Sequence, residues 1–153
     1  MLKKLIEEGL FDVYDEAMHW EDAIRASVAP LVKAGACTDQ YAEVIIERIK
    51  KHGPYIVLGP ELALPHAEDC EHVNRSAVCF VKFNQPVNFE EEDPYELGAA
   101  KQARLFFALS SEDELQHLRN LRALSEECLR NPDLIGKLCE AKTKEEILAV
   151  LAE

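Results

Sequence analysis

Two histidines stand in settings that could do chemistry. His66 closes the stretch Gly59-Pro60-Glu61-Leu62-Ala63-Leu64-Pro65-His66-Ala67. Pro65 holds its own φ at about −65° and biases Leu64 toward an extended conformation, so His66 is expected to emerge from a stiff segment at a strand end. Open α/β sheets place reactive groups at such ends. Neutral imidazole, with an unperturbed pKa of about 6.5, is a good nucleophile near neutral pH. It can attack phosphorus and form a phosphoramidate that stays reactive enough to pass the group on. A histidine in a loop is more often structural, so the residue type alone leaves both readings open.

His117 follows Ser111 by six residues in a stretch of helical spacing. Positions 117, 121, 124 and 128 fall on one helical face, and three of them are apolar. An imidazole there could donate to a phosphoryl oxygen as charge builds up, helped by the free N–H groups of the helix start. The other reading is a core histidine satisfied by a backbone carbonyl. Metal chemistry competes: His66, Cys70 and His72, with Glu68, Asp69 and Glu71 among them, are acceptable zinc ligands. The spacing H-x3-C-x-H matches no strong ligand pattern, and no metal is expected. Cys37, Cys70, Cys79, Cys128 and Cys139 are odd in number and scattered, without a CxxC pair. They read as thiols of a reducing compartment, mostly small buried hydrophobes rather than nucleophiles.

The elements that must position these histidines follow from periodicity. A short helix over about Leu2 to Gly9 leads into Phe11-Asp12-Val13-Tyr14, whose alternation predicts an edge strand. Trp20, Ile24, Ser27, Val28, Leu31 and Val32 recur at helical spacing and predict an amphipathic helix ending near Gly35. Trp20 reads as core packing. Thr38 is placed to cap a second helix with Tyr41, Val44, Ile45, Arg48 and Ile49 on one face, stopped by Gly53-Pro54. The period then changes. Tyr55-Ile56-Val57-Leu58 reads as a strand broken by Gly59-Pro60, and Leu62-Ala63-Leu64 as a second extended piece. Ala77 to Phe83 reads as a buried central strand and Leu105 to Leu109 as the last strand. Asn88 to Pro94 reads as a loop, with Glu90-Glu91-Glu92-Asp93 solvated.

Ser111 with Glu114 forms a capping box for a helix through Leu115, Leu118, Leu121, Leu124 and Cys128. Asn131-Pro132 ends it and opens a short helix with Leu134, Ile135 and Leu138. Thr143 with Glu146 caps a final helix bearing Ile147, Leu148 and Leu151. Strands in the middle with helices at both ends predict an α/β fold, a mixed, partly parallel central sheet flanked by helices. With no repeat, low-complexity tract or linker, residues 1–153 read as a single domain.

Bulk properties narrow the partners. At 153 residues, with 48% hydrophobic and 30% charged residues, the chain has ordinary globular composition. No apolar run approaches the roughly 18 residues that cross a bilayer, and Glu7, Glu8 and Asp12 interrupt the amino terminus in a way no signal peptide shows. No membrane insertion and a cytoplasmic location are expected. A net charge of −12 argues against nucleic acid and suits a partner with a positive face, or simply solubility.

Together these residues carry a resemblance. The segments YIVLGPELALPHA (Tyr55 to Ala67), PVNF (Pro86 to Phe89), LFFALSSEDELQHLRNLRAL (Leu105 to Leu124) and LCEAKTKEEILAVL (Leu138 to Leu151) resemble enzyme IIA domains of the bacterial phosphotransferase system, mannitol/fructose type. The resemblance runs from about Met18 to Leu151. In that family the histidine of a "PH" motif is phosphorylated and a second histidine in an "HL" motif supports it. They map onto Pro65-His66 and His117-Leu118. The resemblance implies a relay: a small histidine-containing phosphocarrier protein hands its phosphoryl group to His66. His66 then passes the group to a cysteine or histidine of the enzyme IIB component of a sugar permease. Such transfers work by positioning and electrostatics and imply no metal, nucleotide or other cofactor. Gly53-Pro54-Tyr55 and ELALPH are most similar to the ascorbate-type subgroup, with the galactitol type next. A homodimer is compatible with this reading.

Three departures bear on it. Many relatives carry a basic residue within two positions after the active histidine, where this chain has Glu68 and Asp69; acid there disfavours a phosphoryl group and stabilises an imidazolium. Arg48 lies on the helix where some mannitol-type members keep a phosphate-binding arginine. The segment between them is two residues longer here, which leaves open whether Arg48 reaches the site. Tyr95 to Arg104 reads as an insertion. The alternative function is a regulatory binding module of the same fold, favoured by the acid after His66. Retention of both histidines favours the relay.

Overall fold

The computed structural model describes residues 1–58, 61–68, 71–89 and 102–153. Four strands form one sheet in the order β1-β3-β4-β2, built from β1 (Phe11–Tyr14), β2 (Glu61–Ala63), β3 (Ala77–Asn88) and β4 (Gln102–Ser110). β1 runs parallel to β3 and β2 parallel to β4, while β3 and β4 pair antiparallel. The sheet is mixed and partly parallel, as expected, and β1 is an edge strand.

Period-2 alternation splits β3 between two cores. Cys79, Val81 and Phe83 face α2 (Trp20–Lys33) and α3 (Gln40–His52). Val78 and Phe80 face the other way, toward α1 (Leu2–Glu7), the far end of α4 (Glu114–Leu124), α5 (Pro132–Glu140) and α6 (Lys144–Leu151). Both faces of the sheet are thus covered, which is why β3 and β4 read as nearly continuous apolar runs. Phe80 stacks on Phe107 across the central pair with ring centroids 4.7 Å apart, an aromatic contact of about 0.5–1.5 kcal/mol beyond its area. Trp20 packs against the first core beside Phe89. Cys37, Cys79 and Cys128 are buried and Cys139 partly so, all as free thiols.

Each α2 and α3 face follows its spacing: Ile24, Val28 and Leu31 are buried on one, Tyr41, Ala42, Ile45, Ile46 and Ile49 on the other. Gly53, at φ +81°, ends α3 by turning into a region closed to most side chains, and its N–H still reaches the Ile49 carbonyl. Thr38 does not cap α3: Asp39 holds the N-cap position, and Thr38 contributes only its carbonyl, to the Tyr41 N–H.

Two segments differ from the sequence reading in extent. Residues 55–58 form a turn that folds back on β2 through the single bridge Val57–Ala63, not a strand. A four-residue apolar run that buries Ile56 in a loop has no periodicity to tell it from a strand. β3 continues to Asn88, into the stretch read as a loop, and Val87 and Phe89 are buried. Pro86 is tolerated because the β3–β4 register breaks between Lys82 and Val87, where a missing N–H costs no ladder bond. The acidic run at positions 90–93 and most of the stretch read as an insertion lie outside the described residues; Gln102 to Arg104 belong to β4. No helix of the described residues is long and apolar enough to cross a membrane.

Candidate functional site

His66 is delivered to the edge of the sheet by a chain of backbone pairings. Leu64 N–H donates to the Ile56 carbonyl at 2.8 Å, and Leu109 N–H donates to the Pro65 carbonyl at 3.0 Å, so the extended path of β2 is held to the end of β4. Leu64 and Pro65 are buried, and His66 emerges half-buried. Two tyrosines clamp the peptide around it. The Tyr55 hydroxyl donates to the His66 carbonyl. The Tyr41 hydroxyl accepts from the Ala67 N–H at 3.1 Å and donates to the Leu109 carbonyl at 2.7 Å. Burial raises the Tyr55 pKa while Arg48 opposes it, so Tyr55 stays a neutral donor at physiological pH.

The ring is fixed as well. His66 Nδ1 lies 2.5 Å from the Leu64 carbonyl oxygen, and a carbonyl can only accept. Nδ1 therefore carries the proton, and Nε2 keeps its lone pair for the cleft. The same carbonyl would stabilise positive charge that develops on the ring during attack.

His117, in the second turn of α4, faces His66 with ring centroids 5.9 Å apart. Its Nδ1 lies 2.6 Å from Ser111 Oγ. Burial first and His66 second lower its pKa below 6.5, so it is neutral near pH 7. Ser111 is not the N-cap that its spacing to Glu114 suggested. Asp113 caps α4, its carboxylate accepting from Gln116 N–H at 2.7 Å, and the Ser111 hydroxyl turns to the imidazole instead. Asp113-x-x-Gln116 is an equally good capping signal, and reading it would have freed Ser111 for another role. Tyr41 and Tyr55 were likewise visible only as core and strand residues. Their hydroxyls matter through contacts distant in sequence.

Both histidines line a cleft of about 960 Å³ together with Arg48, His52, Tyr55 and Ser111. Arg48 does reach it, and its guanidinium donates to the Glu68 carbonyl at 3.1 Å. The Glu68 side chain is exposed, where water and salt screen its charge, and Glu112, Asp113 and Glu114 line the same cleft. Leu115 and Leu118, on the outer face of α4, are 60% and 55% exposed, against the apolar face their spacing implied. A smaller groove of about 430 Å³ between α2 and α3 is lined by neither histidine nor cysteine. Of the metal trio, His72 does not line the large cleft, and Cys70 lies outside the described residues. Among the described residues no three His, Cys, Asp or Glu side chains converge.

The mixed sheet with helices on both faces thus carries two imidazoles across a cleft, with an arginine at its wall. Residues 4–153 match the family model for the phosphoenolpyruvate-dependent sugar phosphotransferase system, EIIA 2, and the chain belongs to that family. An ascorbate-specific PTS system EIIA component from Shigella boydii is 37% identical over 89 residues, which cover 58% of this chain and 58% of that relative. A PTS IIA protein (PtxA) from Streptococcus mutans superposes with TM-score 0.74 at 29% identity, over 99% of this chain and 92% of that one. The mannitol enzyme IIA of Escherichia coli, solved in complex with phosphorylated mannitol enzyme IIB, superposes with TM-score 0.71 at 26% identity, over 95% and 94% of the two chains.

Proposed function

We propose that this protein is the phosphoryl carrier of a sugar phosphotransferase system, working in the cytoplasm. His66 Nε2 takes a phosphoryl group from the histidine-containing phosphocarrier protein and gives it to the enzyme IIB component of a sugar permease. The observation that carries this is the His66 Nδ1 contact with the Leu64 carbonyl, which leaves Nε2 as the nucleophilic nitrogen opposite His117.

In the first transfer, the Nε2 lone pair attacks phosphorus, a new N–P bond forms, and the donor's N–P bond breaks in line. Positive charge appears on the His66 ring, and the Leu64 carbonyl receives it through the Nδ1–H bond. Arg48 and His117 line the same cleft, where their donors can meet the three equatorial oxygens that carry the transition-state charge. Return of the lone pair as phosphorus leaves for the IIB side chain restores neutral His66. The chemistry asks for no metal and no nucleotide.

The Shigella boydii relative supports the ascorbate type as the transport system served. The Escherichia coli complex supports an enzyme IIB component as the acceptor partner. The test is intact mass after incubation with phosphoenolpyruvate, enzyme I and the phosphocarrier protein. A single acid-labile phosphate that vanishes in His66→Ala is expected. No phosphate beside an active carrier would sink the relay and leave the regulatory module, which the acid at Glu68 favours. Native mass in the same run reads a homodimer directly.

A further inference from the structure

The hydrogen bond between Ser111 Oγ and His117 Nδ1 is 2.6 Å long, and a hydroxyl can give or take in it. Three observations favour one direction. Asp113 caps α4, so the Ser111 hydroxyl is not spent on a helix N–H. The His117 ring is neutral near pH 7, because burial and the neighbouring His66 oppose its charging, so it holds one N–H. Across the cleft, His66 has its proton on Nδ1 and its lone pair on Nε2. A second lone pair on the opposing face of His117 would meet it with like polarity, whereas an N–H complements it.

We propose that Ser111 is a positioning residue: its hydroxyl donates to His117 Nδ1 and so places the single ring proton on Nε2, aimed at the phosphoryl position of His66. The proposal rests on the relay reading of His66 and deepens it by naming the group that aims His117. Its chemical consequence is preorganisation. When a dianionic phosphoryl group arrives on His66 Nε2, a donor already points at its oxygens, and neither a ring flip nor a proton shift is needed. Ser111 lies directly after β4 and His117 one turn into the next element, so the pair is set by the strand-to-helix junction. Should the phosphoryl charge draw a second proton onto His117, the same hydroxyl can rotate and accept from Nδ1–H, so Ser111 serves both ring states.

The experiment labels the histidines with nitrogen-15 in wild type, Ser111→Ala and Ser111→Thr. Two-bond proton–nitrogen correlation at pH 7.5, without phosphate, distinguishes the two neutral tautomers of His117. Wild type and Ser111→Thr are expected to hold the Nε2–H form, and Ser111→Ala a mixture of both. In parallel, the rate of phosphoryl return from His66 to unphosphorylated phosphocarrier protein should fall about tenfold in Ser111→Ala, the worth of one hydrogen bond, and recover in Ser111→Thr. An Nδ1–H form in wild type, or an unchanged tautomer and rate in Ser111→Ala, overturns the proposal. If wild type takes no phosphate at all, the relay reading fails instead, and the tautomer comparison still decides what Ser111 does.

Discussion

Lys82, fully buried in β3, donates its ammonium to the Ala141 carbonyl at 2.7 Å, fastening the sheet to the end of α5 across 59 positions of chain. The same Nζ reaches the Cys139 carbonyl at 3.0 Å and Asn84 Oδ1 at 2.6 Å, so each ammonium hydrogen has an acceptor. The carbonyls are among those a helix end leaves without an intrahelical partner.

Lys82→Met keeps the apolar stem and removes the donor. Buried acceptors left unpaired cost about 1–3 kcal/mol each, so the variant should lose about 2–4 kcal/mol of stability. Urea denaturation reads the loss. A midpoint equal to that of wild type would mean that water replaces the ammonium without penalty.

Tyr41→Phe deletes one hydroxyl that bonds both Ala67 N–H and the Leu109 carbonyl. A destabilisation of about 1–3 kcal/mol is expected, with slower labelling of His66 because its peptide loses an anchor. Stopped labelling kinetics with the phosphocarrier protein measure the second effect. Unchanged kinetics in the destabilised variant would assign Tyr41 to stability alone.

How much of this was legible beforehand differs by element. Both histidines, the parallel edge and the two-sided burial of β3 follow from Pro65, from the run Ala77 to Phe83 and from helices at either end, because these are local or periodic signals. The clamp on His66 was not legible. Tyr41 meets Ala67 across 26 positions and Leu109 across 68, and nothing in the local pattern announces such pairs. Ser111, three before a glutamate, satisfies the capping pattern in sequence, yet Asp113, two residues later, competes for the same task and takes it. Arg48 was undecided by residue counting, since a turn at 55–58 replaces the strand that would have carried the chain farther away.

His117 should titrate below 6.5, chiefly through burial and then through His66. In His66→Gln the second cause disappears, and the midpoint should rise. The sign for stability follows from the lowered native value: as pH falls from 6.5 toward it, the unfolded chain binds the proton first, so the fold loses stability across that window. His117→Gln should lose less stability than wild type between pH 7 and pH 5. Thermal melts at both pH values, with proton NMR of the imidazole, check the two statements.

His117→Ala should still accept phosphate, because the nucleophile and its Leu64 contact are intact. Onward transfer is expected to slow about 100-fold, the scale of losing one donor to a charged transition state. Single-turnover transfer from the labelled protein to its IIB acceptor measures it. Equal rates with wild type would remove His117 from the chemistry.

The antiparallel pairing of β3 with β4 has a consequence for how this protein can be modified. Ser110 pairs with Ala77 at the cleft end, while Gln102 pairs with Asn88 at the other. At about 3.3 Å per residue, the connection between Asn88 and Gln102 begins and ends some 25–30 Å from the two imidazoles. A change of length, or a graft, placed after Asn88 and before Gln102 joins the sheet at strand ends remote from the cleft and leaves the histidine spacing untouched. Sequence drift there and constancy at the cleft would then be the expected signature of the fold, a body whose working end and whose variable end are opposite ends of the same two strands.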